Sequence, residues 1–152
     1  MREVKGLRWA RVVDRPRCVP VGRPRGAKLR GVKFERALAV MWPFASHGVW
    51  FEFEDAAGHG YAQADFVWPQ SGGWIVGEAK LTWRREAYVQ LRRLYWPLVE
   101  AVWGGAPRGL VVCRNVTRET PQVEVVGSLP EALDRALGGR MIPTLHLPLV
   151  GA

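Results

Sequence analysis

Two acids and a lysine near the middle of the chain have types and spacing that suit chemistry. They are Asp65 and, after twelve intervening residues, the run Glu78-Ala79-Lys80. The segments that carry them read as the strands of a hairpin, about 61–68 and 74–80, joined by the turn cluster Pro69-Gln70-Ser71-Gly72-Gly73. The midpoint between Asp65 and Glu78 falls at Ser71-Gly72, so a hairpin folded there sets the two carboxylates directly across from each other. Side chains alternate along a strand, which puts Glu78 and Lys80 on one face. Facing carboxylates repel unless something positive lies between them. Two acids with a lysine beside them suit a hard divalent cation, Mg²⁺ or its substitute Mn²⁺. A cation there lowers the pKa of a water and stabilises a pentacoordinate phosphate, while the lysine orients or deprotonates that water. The chemistry is phosphodiester hydrolysis. Lysine usage agrees: Lys80 is the only lysine after Lys33 in an arginine-rich chain, and a flexible amine with a tunable pKa suits the role better than a guanidinium.

The surrounding pattern supplies elements to position these residues. From Ala27 to Met41, Leu29, Val32, Leu38 and Val40 recur at roughly helical spacing until Pro43. A strand follows, with Val49, Phe51 and Phe53 on one face and Trp50, Glu52 and Glu54 on the other; Asp55 to Gly58 turns the chain into the hairpin. Residues 83–103 form the longest helix candidate, with Tyr88, Leu91, Tyr95, Leu98 and Val102 on its apolar side and a kink expected at Pro97. Gly104 to Pro107 breaks the chain before a short buried-type strand, Leu110 to Cys113. A further strand over 121–126, a short helix over 130–137 and an apolar tail over 141–152 complete the pattern. The tail is expected to pack along the body or to serve an oligomer interface. The order helix, three strands, helix, strand predicts an α/β domain with a mixed central sheet over 27–152, preceded by a basic arm over 1–26.

Charge points to a polyanionic partner. The net charge is +8 and the pI near 10.3. Residues 1–30 hold ten Lys or Arg and two acids, which accounts for the whole excess. Pro16, Pro20 and Pro24 break any long amphipathic helix there, which argues against a membrane surface. No apolar run approaches the ~18 residues of a membrane span, and the first residues lead into no secretory segment. Cys18 and Cys113 lack the spacing of a zinc site or disulfide framework and read as thiols of a reducing cytoplasm, the host's if the source is a virus.

Asp65 and Glu78-Ala79-Lys80 together resemble the central motif of the PD-(D/E)XK nuclease superfamily, whose restriction-endonuclease-like core runs αβββαβ. The resemblance covers about residues 27–115. It implies Glu35 as a glutamate supplied by the first helix, a metal held by Asp65, Glu78, Glu35 and the carbonyl of Ala79, and Gln90 as the polar residue of the helix after the lysine. Ala64 stands where a proline is usual. Gln90 and Tyr95 are five apart, against the four expected of RecB-like exonucleases, which argues against that branch. The segments Gly31-Val32-Lys33-Phe34-Glu35-Arg36 and Arg84-Arg85-Glu86-Ala87-Tyr88-Val89-Gln90 are similar to those of archaeal-type Holliday junction resolvases, and the chain also resembles small bacteriophage nucleases. This implies an Mg²⁺-dependent homodimeric endonuclease of recombination and repair that cuts branched DNA such as a four-way junction. Arg23, Arg25, Lys28, Arg30 and Lys33, with Arg84 and Arg85, would hold the DNA backbone. Two other readings stay open: a nicking, restriction-type or end-processing nuclease, and a non-catalytic DNA-binding protein on the same fold.

Other polar residues carry less. Glu35 has Lys33 and Arg36 as alternative helix partners, and Gln90 is as readily a solvated glutamine. Glu52 and Glu54 are expected to balance nearby arginines, and His59, between two glycines, to be a turn residue. His47 and His146 show no signal. Of eight tryptophans, Trp9 and Trp83 are placed to meet DNA, and the other six read as core or interface.

Overall fold

The structure, a computed structural model, describes residues 2–19, 25–138 and 141–150. Within them a seven-stranded mixed sheet is ordered β1-β2-β3-β4-β5-β7-β6. Its strands are β1 (Trp9–Val13), β2 (Ser46–Asp55), β3 (Gly58–Gln70), β4 (Gly73–Thr82), β5 (Ala106–Asn115), β6 (Val125–Val126) and β7 (Thr144–His146). Strands β1 to β4 pair antiparallel; β4, β5, β7 and β6 pair parallel. Helix α1 (Gly26–Met41) precedes β2, and α4 (Leu129–Leu137) follows β6. Between β4 and β5 a single helical rod is built from α2 (Glu86–Gln90), a π-helical turn (Leu91–Tyr95) and α3 (Trp96–Trp103). The chain thus contains the expected order of helix, three strands, helix and strand, with β1 before it and β6, α4 and β7 after it.

Helices cover both sheet faces. On one side Phe34, Leu38 and Trp42 of α1 and Ala132 and Ala136 of α4 bury Phe66, Trp68, Ile75, Leu110 and Val112. On the other, Leu91, Leu94, Tyr95, Leu98 and Val99 of the rod cover Phe51, Phe53, Ala62, Ala64, Val76 and Val111. Leu110 to Cys113 are all buried, as a continuous apolar run requires of a parallel strand covered on both faces. Each large side chain so buried contributes about 1.5–3 kcal/mol of transfer free energy.

The hairpin forms in the expected register: Phe66 pairs with Gly77, Val67 with Val76 and Trp68 with Ile75. The strand runs on through Pro69 to Gln70, and Gly72 turns it with φ +75°. Proline is tolerated there because the β2 ladder ends at Ser46–Val67, leaving no partner on that side for an N–H to serve. Gly77 is required by close packing: a Cβ on it would lie 1.8 Å from the Phe66 ring.

The ends of the chain differ from expectation. Residues 9–13, expected in a basic arm, form the edge strand and pair with residues 50–54 of β2. Arg2 is anchored on buried Asp55 at 2.7 Å, and Lys5 N–H donates to the same carboxylate at 3.2 Å. The apolar tail contributes β7, which slots between β5 and β6, so it packs along the body. Of the expected 121–126 strand only the last two residues are extended, after a 3₁₀ turn over Gln122–Glu124.

Candidate active site

Asp65 sits where the sheet opens. The β2–β3 ladder pairs Val49 with Ala64 and His47 with Phe66, but skips Gly48 and Asp65. The β3–β4 ladder stops one step short of Asp65, at Phe66–Gly77. Gly48 has φ +62°, a left-handed conformation that glycine adopts without strain. The facing of β3 changes at the same point: Ala62 and Ala64 pack under the rod, whereas Phe66 and Trp68 pack under α1. Freed from the ladder, Asp65 uses its side chain as the missing partner, and its Oδ2 accepts from Ala79 N–H at 2.7 Å.

Glu78 and Lys80 share a face, and Lys80 Nζ lies 2.9 Å from Glu78 Oε1. Glu78 is buried, and its second oxygen, Oε2, has no hydrogen-bond partner. Burial pushes both the Asp65 and the Glu78 carboxyls up out of the ordinary carboxylate range. For Glu78 the adjacent Asp65 charge adds to the rise; for Asp65 the Ala79 N–H and the Lys80 charge oppose it. Glu35 reaches the pair from α1. It lines one cavity of about 270 Å³ with Asp65, Arg36, His47 and Gln63. Desolvation of its carboxyl, with the Asp65 charge second, pushes Glu35 up to about 7. Asp65, Glu78, Lys80 and Glu35 are therefore brought together electrostatically.

Three site neighbours carry no motif. His47 lines the cavity and holds the Trp42 carbonyl through Nε2 at 2.9 Å. Gln63 lines it as well, and its carbonyl accepts from Tyr95 Oη–H at 2.7 Å. The carboxylates Glu78, Asp65 and Glu35, after burial itself, raise the Tyr95 phenol above its ordinary value. The sequence holds one clue to this grouping, the glycine at Gly48 inside an otherwise alternating strand.

The π turn changes what the spacing of Gln90 and Tyr95 means. Trp96 N–H donates to the Leu91 carbonyl, five residues back. Across such a turn, residues five apart fall on nearly the same face, as residues four apart do on an α-helix. The five-residue spacing is therefore no argument against the RecB-like branch. The turn also precedes Pro97, in the first turn of α3; the Arg93 carbonyl, four residues back, which Pro97 cannot serve, accepts instead from Val4 N–H at 2.9 Å. Gln90 is half-buried, and its Oε1 has no hydrogen-bond partner.

The other expected contacts divide. Arg25, Lys28, Arg30 and Lys33 are exposed along α1, and Arg84 and Arg85 are exposed at the exit of β4. None of the six forms an ion pair among the described residues. Arg23 lies outside the described residues. Glu52 and Glu54 face away from the site and pair with Arg11 at 2.7 Å and Arg8 at 3.9 Å. His59 approaches Glu52 at 3.6 Å. Trp83 is buried and donates to Tyr88 Oη at 3.0 Å, so it offers DNA no free face.

Among the described residues no group of three or more His, Cys, Asp or Glu side chains is gathered as a ready metal shell. Two carboxylates side by side, one with an orphaned buried oxygen, nevertheless fit an ion such as Mg²⁺, which keeps several waters and takes only one or two protein carboxylates. Ala79 meets Asp65 through its N–H.

No family model matches the chain, and no curated protein does either. The crystal structure of protein VC1899 from Vibrio cholerae is similar over 79% of this chain and 29% of that one, at 14% identity and a TM-score of 0.40. This chain spans less than a third of that protein, and a likeness of that degree carries no functional weight.

Proposed function

We propose that the protein is a divalent-metal-dependent DNA endonuclease, acting on branched DNA such as a four-way junction as a homodimer. The observation that carries the nuclease reading is the Asp65–Glu78 pair, Glu78 buried and Asp65 half-buried, which has one lysine to balance it and one oxygen, Glu78 Oε2, without a partner. Buried charge is stable only when paired or when it coordinates a cation. Asp65 and Glu78 would hold Mg²⁺ or Mn²⁺, with Glu35 across the cavity as a further carboxylate. The cation would supply an acidified water and offset the charge that develops on phosphorus. Lys80, hydrogen-bonded to Glu78, is positioned to orient that water or neutralise the phosphate. The Ala79 N–H keeps Asp65 aimed. The unpaired cations of α1 border the same cavity through Arg36 and give the phosphodiester backbone a landing surface. Branch preference and dimerisation rest on the resemblance of residues 31–36 and 84–90 to junction resolvases and on the symmetry of paired incisions.

A second reading is favoured by one observation: Lys80 closes on Glu78 and no third ligand stands ready, as suits a non-catalytic DNA-binding protein. Cleavage of a labelled four-way junction and a matched linear duplex in Mg²⁺ separates these readings. The proposal expects symmetric cleavage of the junction alone, with Asp65→Asn binding but not cutting. Cleavage of both DNAs would keep the nuclease and remove the branch preference. Binding of both without cleavage in any metal, unchanged in Lys80→Ala, would establish the non-catalytic reading.

A further inference from the structure

The two chain segments that leave the sheet beside Lys80 create a second cationic surface. β4 ends at Thr82 and β5 at Asn115, and because they run parallel both leave on the same rim. In open α/β sheets the rim at the carboxyl ends of the strands is where ligands settle. The two exits are tied together. Trp83 N–H donates to the Asn115 carbonyl at 2.8 Å, and Asn115 Nδ2 donates to the Leu81 carbonyl at 3.3 Å. Arg84 and Arg85 follow the first exit. Arg118 follows the second, on a turn closed by Thr117 N–H donating to Thr120 Oγ1 at 2.8 Å, with Thr120 itself buried. Between the exits lies a groove of about 590 Å³ lined by these three arginines and by Trp83. Glu86 and Glu119 also line it, which leaves the groove positive. Among the described residues none of the three guanidinium groups has an ion-pair partner. A guanidinium fork matches the oxygens of a phosphate, and three of them converging without acids bonded to them leave that valence open.

We infer that this groove is a backbone-phosphate subsite for the DNA strand cut at Asp65, Glu78 and Lys80, with Arg118 as its anchor. The inference rests on the nuclease reading and adds to it a residue, Arg118, that no motif in the chain marks. Four residues of chain, at most about 14 Å, separate Lys80 from Arg84. With the reach of the side chains added, a phosphate in the groove lies within about one turn of duplex, roughly 34 Å, of the cut.

The test is binding of a four-way junction between 50 and 200 mM salt with cleavage blocked by EDTA, together with a scan of single neutral methylphosphonates around its cut site and a cleavage assay in Mg²⁺. Arg118→Ala should lower the slope of log affinity against log salt by about 0.9, one phosphate contact, and Arg118→Lys should keep it. Arg8→Ala, whose charge already meets Glu54 on the far edge strand, should leave the slope unchanged. One methylphosphonate within a duplex turn of the cut should weaken the wild type and leave Arg118→Ala unaffected. If the wild type cuts but Arg118→Ala keeps the full slope, or no methylphosphonate is masked, the subsite is wrong and the nuclease reading stands. If the wild type does not cut DNA, both fall.

Discussion

At the scale of single residues, the site stores unfavourable charge. Asp65, Glu78 and Glu35 are all raised above their values in an unfolded chain, chiefly by desolvation, although Glu35 remains an exposed residue where it lines the cavity and Asp65 is half-buried. The folded protein therefore holds protons that the unfolded chain releases, and each contributes stability below the ordinary carboxylate range that is lost as pH rises through its folded value. In EDTA the melting temperature should fall as pH climbs from about 5 through about 7, the Glu35 value, and Mg²⁺ should restore it above that. Glu78→Gln should make that fall shallower, because it removes one of the carboxyls that must ionise as pH rises. A flat wild-type pH profile in thermal melts, or a profile that Glu78→Gln leaves unchanged, would contradict this. Asp65, Glu78 and Lys80 were legible because a hairpin register can be counted from its turn. His47 and Gln63 were not, since the unpaired step at Gly48 and Asp65, with the register kept on either side, switches the packing face of β3, and alternation cannot foresee it; Tyr95 comes from the helical rod, with no motif to mark it.

At the scale of elements, the π turn is the feature that sequence pattern misjudges most directly. A period of 3.6 separates Gln90 from Tyr95; one inserted residue, absorbed as a π turn, reunites them. An insertion absorbed in this way can be removed. Deletion of Arg92, which is exposed, should give a regular α-helix with both faces kept, and the melting temperature should stay within about 4 °C of wild type. Deletion of Glu100 in α3 should instead rotate the residues before it off the sheet and unfold the domain. Equal damage from the two deletions, read by circular dichroism and melting, would overturn the assignment. β1 escaped the sequence reading for a related reason: five residues ending in two adjacent valines after Arg11 show too little alternation to declare an edge strand. β7, three residues between prolines, is defined only by the groove between β5 and β6 that receives it.

At the scale of the whole molecule, the charge excess is partly spent on the fold. Arg2, Arg8 and Arg11 neutralise Asp55, Glu54 and Glu52. Among the cations without an ion pair in the described residues, Arg36 lines the cavity and Arg84, Arg85 and Arg118 line the β4–β5 rim. No helix among the described residues is long and apolar enough to cross a membrane. Removing residues 1–13 would uncover the β2 edge and strand Asp55 in the core, so the truncated chain should melt at least about 5 °C lower than the whole one; an independent arm would leave the melting temperature unchanged. The central claim, that the Asp65–Glu78 pair works by holding a divalent cation, is tested most directly by nicking of supercoiled plasmid. The account predicts nicking by the wild type in Mg²⁺, none in EDTA, and a loss of about 10²-fold or more in Glu78→Gln with DNA binding retained. Nicking that persists in EDTA, or that Glu78→Gln leaves intact, would contradict it.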